Sequence, residues 1–299
     1  MKDFSDIWGF LREEALPPGV LHIVATPIGN LEDITLRALR VLAGAELIAA
    51  EDTRRTGLLL KAYGLKKPMV SCFAHNEEAQ SRRIVSALAE GKAVALVSDA
   101  GLPGISDPGA RLVRQALQAG IEISVIPGPS AGLTALAASG LDTEAFAFGG
   151  FIPRDGKGRK AWLERFGSFA GTLIVYESPR RLEATLLMLM EAWGDRKCCV
   201  ARELTKRYEE FIRGSLSEVH GRLSGAGGVK GEIVLILEGR PFPDREKLSR
   251  EEASARGEEL VAEGLGIKEA SRRLAEESGI SAKECYAMLT KASEDAKMS

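Results

Sequence analysis

Three glycine- and proline-rich stretches follow short apolar runs, and they hold the residues best placed to grip a ligand. Ala25-Thr26-Pro27-Ile28-Gly29-Asn30 follows the run 21–24. Ser98-Asp99-Ala100-Gly101-Leu102-Pro103-Gly104-Ile105-Ser106-Asp107-Pro108-Gly109 follows 93–97, and Pro127-Gly128-Pro129-Ser130-Ala131 follows 121–126. Gly101, Gly104 and Gly109 let backbone approach a ligand closely. Pro103, Pro108, Pro127 and Pro129 stiffen the loops. Such loops suit a compact ligand with a polar head and an adenine ring, held largely by main-chain groups. The chain has neither the G-x-x-x-x-G-K-[ST] nor the G-x-G-x-x-G phosphate motif. Its histidines, His22, His75 and His220, are far apart, and Cys72, Cys198, Cys199 and Cys285 lack metal-ligand spacing. No metal site is expected, and the thiols read as reduced core residues.

The elements that must position these loops alternate. Strand-like runs at 21–25, 47–50, 69–73, 93–98 and 121–126 are separated by amphipathic helical patterns. Leu36, Leu39 and Leu42 mark one helix, with Asn30 or Asp33 placed to cap it; others are expected at 77–89 and 111–119. This alternation predicts a parallel sheet covered on both faces, with the three loops together at its carboxyl edge. The segment 140–153, with Gly149-Gly150, reads as a joint. A second α/β unit follows, with strands near 172–176, 197–201, 210–212 and 232–237 and helices at 160–166 and 179–193. After the linker Arg240-Pro-Phe-Pro-Asp244 only helices are expected. Ser249-x-x-Glu252 and Ser281-x-x-Glu284 read as capping boxes, and Ile267, Ala270, Leu274 and Ala275 form one stripe of a helix-turn-helix-like unit. The resulting division is 1–19, an extension; 20–140 and 141–240, two α/β domains; and 241–299, a small helical domain.

Composition bounds the function. The chain has 299 residues, is 45% hydrophobic and carries a formal net charge of −2. That is enough for a sizeable core, and it offers no global field of the kind a non-specific nucleic-acid binder uses. Nothing at the amino terminus reads as a secretion signal and no run is long enough to span a membrane, so a cytoplasmic setting is expected. Positive charge is concentrated locally in Arg154, Lys157, Arg159, Lys160 and Arg165, with smaller clusters at Arg180-Arg181 and Lys206-Arg207.

The strings V-A-T-P-I-G-N-L-E-D (24–33), A-E-D-T-R (50–54), S-D-A-G-L-P-G-I-S-D-P-G (98–109), P-G-P-S-A (127–131) and Y-E-S-P-R-R (176–181) resemble the tetrapyrrole-methylase superfamily, and within it the small-subunit ribosomal RNA methyltransferase I family. The resemblance spans about residues 20–240. The segment G-I-K-E-A-S-R-R-L-A is similar to that family's carboxyl-terminal helix-turn-helix domain. It implies two α/β domains of tetrapyrrole-methylase type with a cofactor cleft between them. It also implies S-adenosylmethionine as methyl donor, and a homodimer acting on small-subunit ribosomal RNA or the 30S subunit by 2′-O-methylation of a cytidine ribose in the decoding region. By that analogy Thr26, Pro27, Asp99, Ala100, Gly101, Ile105, Ser130 and Ala131 line the cleft, and Tyr176, Leu204 and Ile233 close it. A ribose hydroxyl benefits from a base; Glu51, Asp52, His75 and Glu177 are candidates, none fixed by spacing. Arg54, Arg154, Lys157, Arg159, Lys160, Arg180 and Arg181 are the candidate RNA contacts. A small-molecule methylase acting on a corrinoid or porphyrin precursor, and a non-catalytic RNA-binding module for ribosome assembly, are the alternatives.

Overall fold

The structure is a computed structural model that describes residues 15–73, 76–224, 229–240, 249–278 and 280–298. Two sheets lie within one compact unit, Met1–Gly239. The first sheet has β1 (Leu21–Val24), β2 (Leu47–Ala50), β3 (Met69–Ser71), β4 (Val94–Val97) and β5 (Ile123–Ile126), in the order β3-β2-β4-β1-β5, with every pairing parallel. Strands buried on both faces must be apolar at successive positions, and β1 and β4 are fully buried. Along β4 the side chains alternate between two cores. Val94 and Leu96 pack with Ile84, Leu88 and Leu112, whereas Ala95 and Val97 pack with Val41, Leu42 and Leu60.

Helices α1 (Leu36–Gly44), α2 (Thr53–Ala62), α3 (Glu77–Ala89) and α4 (Ala110–Gln118) cover this sheet. The cap of α1 is neither Asn30 nor Asp33. Thr35 Oγ1 accepts from Ala38 N at 3.1 Å, and Asn30 instead caps the short 3-10 turn Leu31–Asp33. The turn uses up the residues between loop and helix, so the nearest hydroxyl takes the cap.

The second sheet contains β6 (Phe146–Phe151), β7 (Thr172–Glu177), β8 (Lys197–Arg202), β9 (Glu210–Ser215) and β10 (Ile233–Leu237), in the order β6-β7-β10-β8-β9. Only β6 and β7 run parallel. Strand β6 falls inside the segment expected to be a joint. Its Gly149-Gly150 pair is the reason it reads as a break. The pair makes a bulge, and a Cβ on Gly149 would stand 2.9 Å from Trp162 Cζ2, so glycine admits the indole, whose Nε1 donates to Gly149 O at 2.8 Å.

Helices α6 (Gly156–Gly167), α7 (Leu182–Trp193) and α8 (Leu216–Ser224) pack on one face of this sheet through Trp162, Leu186 and Val219. Helix α5 (Ala131–Ser139) packs on the other, where Ala135 and Leu136 meet Ile174, Cys199 and Val234, and Ile28 of the first loop joins the same core. α2, α5 and α8 were not singled out by periodicity. In α5 almost every position is apolar or small, so no polar face marks it.

A second unit, Arg240–Ser299, holds α9 (Arg250–Ala262), α10 (Ile267–Ser278) and α11 (Ala282–Met298). Its core contains Leu260, Ala270, Leu274, Cys285 and Leu289, and Ser249 and Glu252 form the reciprocal capping box. All four cysteines are buried and free; burial pushes the Cys72 thiol up to about 11 and that of Cys198 up to about 12. Among the described residues no helix is long and apolar enough to cross a membrane.

Candidate functional site

Strands β2, β4, β1 and β5 are neighbours and parallel, so the segments that leave them emerge along one edge. Loop 25–30 is fastened to loop 98–109 there. Thr26 N donates to Gly101 O at 2.9 Å, Gly101 N to Thr26 O at 3.0 Å, and Thr26 Oγ1 to Ser98 O at 3.1 Å. Gly101, Gly104 and Gly109 all have positive φ, and Ser106 takes φ 64°. A non-glycine residue there marks a loop held by its surroundings.

A cavity of about 360 Å³ opens between this edge and the second sheet, within the range of small-molecule sites. Ile28, Ala100, Gly101, Leu102, Ile105, Ser106, Asp107, Ser130 and Ala131 line it from one side. Phe151, Tyr176, Glu177, Ser178, Pro179, Leu204 and the segment 231–234 line it from the other. Ala100, Gly101, Ile105, Ser130, Ala131, Tyr176, Leu204 and Ile233 are therefore brought together. Tyr176 OH accepts from Gly132 N at 3.3 Å, and its ring meets Phe148 and Phe151 edge-on, at 5.0 and 5.7 Å between centroids. Burial raises this phenol, which stays protonated.

Thr26, Pro27 and Asp99 stand elsewhere. They border a second hollow of about 240 Å³ together with Leu31, Arg55, Thr56, Leu58 and Ser98. Asp99 Oδ1 accepts from Asp52 N at 3.1 Å, and Oδ2 lies 3.3 Å from Arg55 Nη1. Asp99 thus ties the 98–101 turn to the start of α2 and adds no side chain to the larger cavity.

The candidate bases separate by environment. Asp52 caps α2 and binds Arg54 through both oxygens, which holds its carboxyl down at about 2. Glu51 is half-buried; desolvation raises its carboxyl, and its Oε2 accepts from Asp99 N at 3.2 Å. His75 lies outside the described residues. Glu177 is buried, accepts from Ser178 N and Thr185 Oγ1, each at 2.7 Å, and faces Arg181 Nε at 3.5 Å. Those partners make it the anchor of the turn before α7. Glu177→Ala should cost about 3 kcal/mol, as for one lost partner of a buried pair, and lower the melting temperature by about 5–10 °C. An unchanged melting temperature in a thermal scan would contradict this role.

One acid was missed. Asp107 lines the cavity, and burial first, then the charge of Glu51, push it up to about 6. It stands inside the long loop string, but nothing in a sequence reports burial.

Of the expected RNA contacts, Arg154, Lys157, Arg159, Lys160 and Arg180 are exposed. Arg54 is exposed but paired with Asp52. Arg181 is turned inward and donates to Ile152 O at 2.9 Å, joining the β7–α7 turn to the β6–α6 loop. Phe151, Ser178 and Pro179 of those two segments line the cavity. The basic run therefore begins at the cavity's rim. Among the described residues no His, Cys, Asp and Glu cluster has the arrangement of a metal site.

Residues 20–220 match the model of the Tetrapyrrole (Corrin/Porphyrin) Methylases. A ribosomal RNA small subunit methyltransferase I from Halalkalibacterium halodurans is 46% identical over 276 residues, covering 90% of this chain and 93% of that protein. The chain belongs to the ribosomal RNA small subunit methyltransferase I family of tetrapyrrole methylases. The protein so named from Bacillus subtilis is 43% identical, covering 90% of this chain and 93% of its own length; that from Thermotoga maritima is 47% identical, covering 74% and 99%. Diphthine synthase shares the fold at TM-score 0.58 and 16% identity, covering 74% of this chain and 90% of that one. So does uroporphyrin-III C-methyltransferase from Thermus thermophilus complexed with S-adenosyl homocysteine, at TM-score 0.52 and 23% identity, covering 73% and 96%. The methylase fold thus accounts for the two sheets and the cleft between them.

Proposed function

We propose that this methylase transfers a methyl group from S-adenosylmethionine to the 2′-oxygen of a cytidine ribose in the decoding region of 16S ribosomal RNA. The observation that carries the reading is an acid-lined cavity whose rim is basic. The cavity fits the donor: apolar walls from Ile28, Leu204 and Val234 suit an adenine ring, and the bare backbone at Gly101 permits close approach. Ala100, Gly101, Ser130, Ala131, Tyr176, Leu204 and Ile233 would hold it. Bound there, the cofactor supplies an electrophilic methyl group on a sulfonium.

The protein's share is alignment, exclusion of water and management of one proton. Phe151 and Tyr176 form one wall of the cavity, and Phe148 packs edge-on against Tyr176. Among the described candidates Glu51, which accepts from Asp99 N and lies behind the lining of both hollows, is the one left to take the hydroxyl proton, since Asp52 is weakly basic and Glu177 is occupied by its partners. Arg55, exposed beside Asp99 at the second hollow, faces the approaching sugar–phosphate chain. The same reading makes the enzyme a cytoplasmic homodimer.

The exposed cations Arg154, Lys157, Arg159 and Lys160 offer contacts to a phosphate chain. Replacing Arg154, Lys157, Arg159 and Lys160 together should weaken RNA binding and reduce its salt slope by roughly one unit for each cation that meets a phosphate, leaving cofactor affinity unchanged. An unchanged slope would make the run a solvated face. Tritiated-methyl transfer tests the substrate class: 30S subunits should be labelled and porphyrinoids not, and the reverse would overturn the proposal.

A further inference from the structure

Three acids line the larger cavity, Asp107, Glu177 and Glu232, and among the described residues no basic side chain does. Glu177 is held by Ser178, Thr185 and Arg181. Glu232 is largely exposed and lies 2.9 Å from Lys206 Nζ. Asp107 is different. It is half-buried, the Ser98 hydroxyl lies near it, and among the described residues no cation pairs with it. The groups facing it are Glu51 from the end of β2, Asp99 after β4 and the Tyr176 phenol of β7. Each is neutral or negative. The nearby guanidinium of Arg55 is engaged by Asp99. The backbone holds Asp107 in this place, between Ser106 at φ 64° and Gly109 at φ 129°. A carboxylate desolvated among like charges and open to a cavity is a site for a cation.

We propose that Asp107 is the counter-charge for a cationic group of the methyl donor, and that binding of the donor drives a proton from this carboxyl. The inference rests on the cofactor reading above and adds a residue and a proton linkage to it. In the free protein the carboxyl is held up at about 6 by burial and by Glu51. A cation beside it favours the charged form, so its pKa is lower in the complex than in the free protein. The complex therefore binds fewer protons, and affinity falls as pH drops below about 6.

Calorimetry of the full chain with S-adenosylmethionine, and separately with S-adenosylhomocysteine, tests this. Titrations from pH 5 to pH 8 are run in buffers of different ionisation heat. For the unaltered protein the affinity for S-adenosylmethionine should fall roughly tenfold between pH 7 and pH 5, with proton release near pH 6. Asp107→Asn should bind about tenfold or more weakly at pH 7.5 and lose the proton release. The amide removes a charge that burial disfavours, so the variant should melt no lower than the parent at pH 7.5, which keeps the binding loss readable. Loss confined to S-adenosylmethionine assigns the sulfonium as the partner; loss with both ligands assigns the ammonium. Parental affinity and proton release in Asp107→Asn would overturn the inference. If the unaltered protein bound neither ligand, the cofactor reading itself would fall.

Discussion

Gly101→Leu should reduce affinity for S-adenosylmethionine by at least about a hundredfold. The residue has φ 81°, a conformation that costs an ordinary side chain roughly 1–2 kcal/mol. It cannot relax, because its amide and carbonyl are both bonded to Thr26. A Cβ there would already touch Ile28 Cγ2 and Pro129 O, each at 3.6 Å. The remaining carbons of leucine would extend past that contact into the cavity that Gly101 lines. Strain and lost volume act together on the ligand. Gly140→Ala is the control, since Gly140 also has positive φ, 80°, yet nothing stands within 4 Å of its would-be Cβ. It should bind the cofactor normally. Parental affinity in Gly101→Leu would show that the 98–109 loop does not form the site.

The second large effect is expected at Glu51. Glutamine keeps an oxygen to accept from Asp99 N and nearly the same volume, so the fold should survive Glu51→Gln. It cannot take a proton. Single-turnover methylation should fall by about a hundred- to a thousandfold, in the range for loss of a general base, with cofactor affinity near normal. Desolvation holds the Glu51 carboxyl above its ordinary value, so the parent's rate should decline at low pH as that group protonates. Asp52→Ala is the contrasting variant. It removes the cap of α2 and a carboxylate that Arg54 already holds at low basicity. Full activity in Glu51→Gln would mean that alignment alone drives the reaction or that the proton goes elsewhere.

The loops were legible in the sequence because glycine and proline carry conformational meaning by themselves. Placing them after strand-like runs located one edge of one sheet, which the all-parallel order β3-β2-β4-β1-β5 supplies. Strand β6 was not legible, because Gly149 serves the packing of Trp162 rather than a turn. Sidedness was also hidden. Asp99 and Gly101 are two residues apart, yet the bridge to Thr26 leaves one on the smaller hollow and the other on the larger cavity. Partners decided the rest. Glu177 ends β7 and Asp107 stands in the loop after β4; Thr185 and Arg181 fix the first as structural, and among the described residues no cation pairs with the second, which leaves it for the proposed ligand.

The position of the transferred methyl is the most direct test of the proposed reaction. Small ribosomal subunits lacking the modification are incubated with the protein and S-adenosylmethionine, the RNA is digested to nucleosides, and the products are resolved by mass spectrometry. One methyl group per subunit is expected, recovered on the ribose of a cytidine. A methyl group recovered on a base, or on no nucleoside at all, would contradict the proposed reaction.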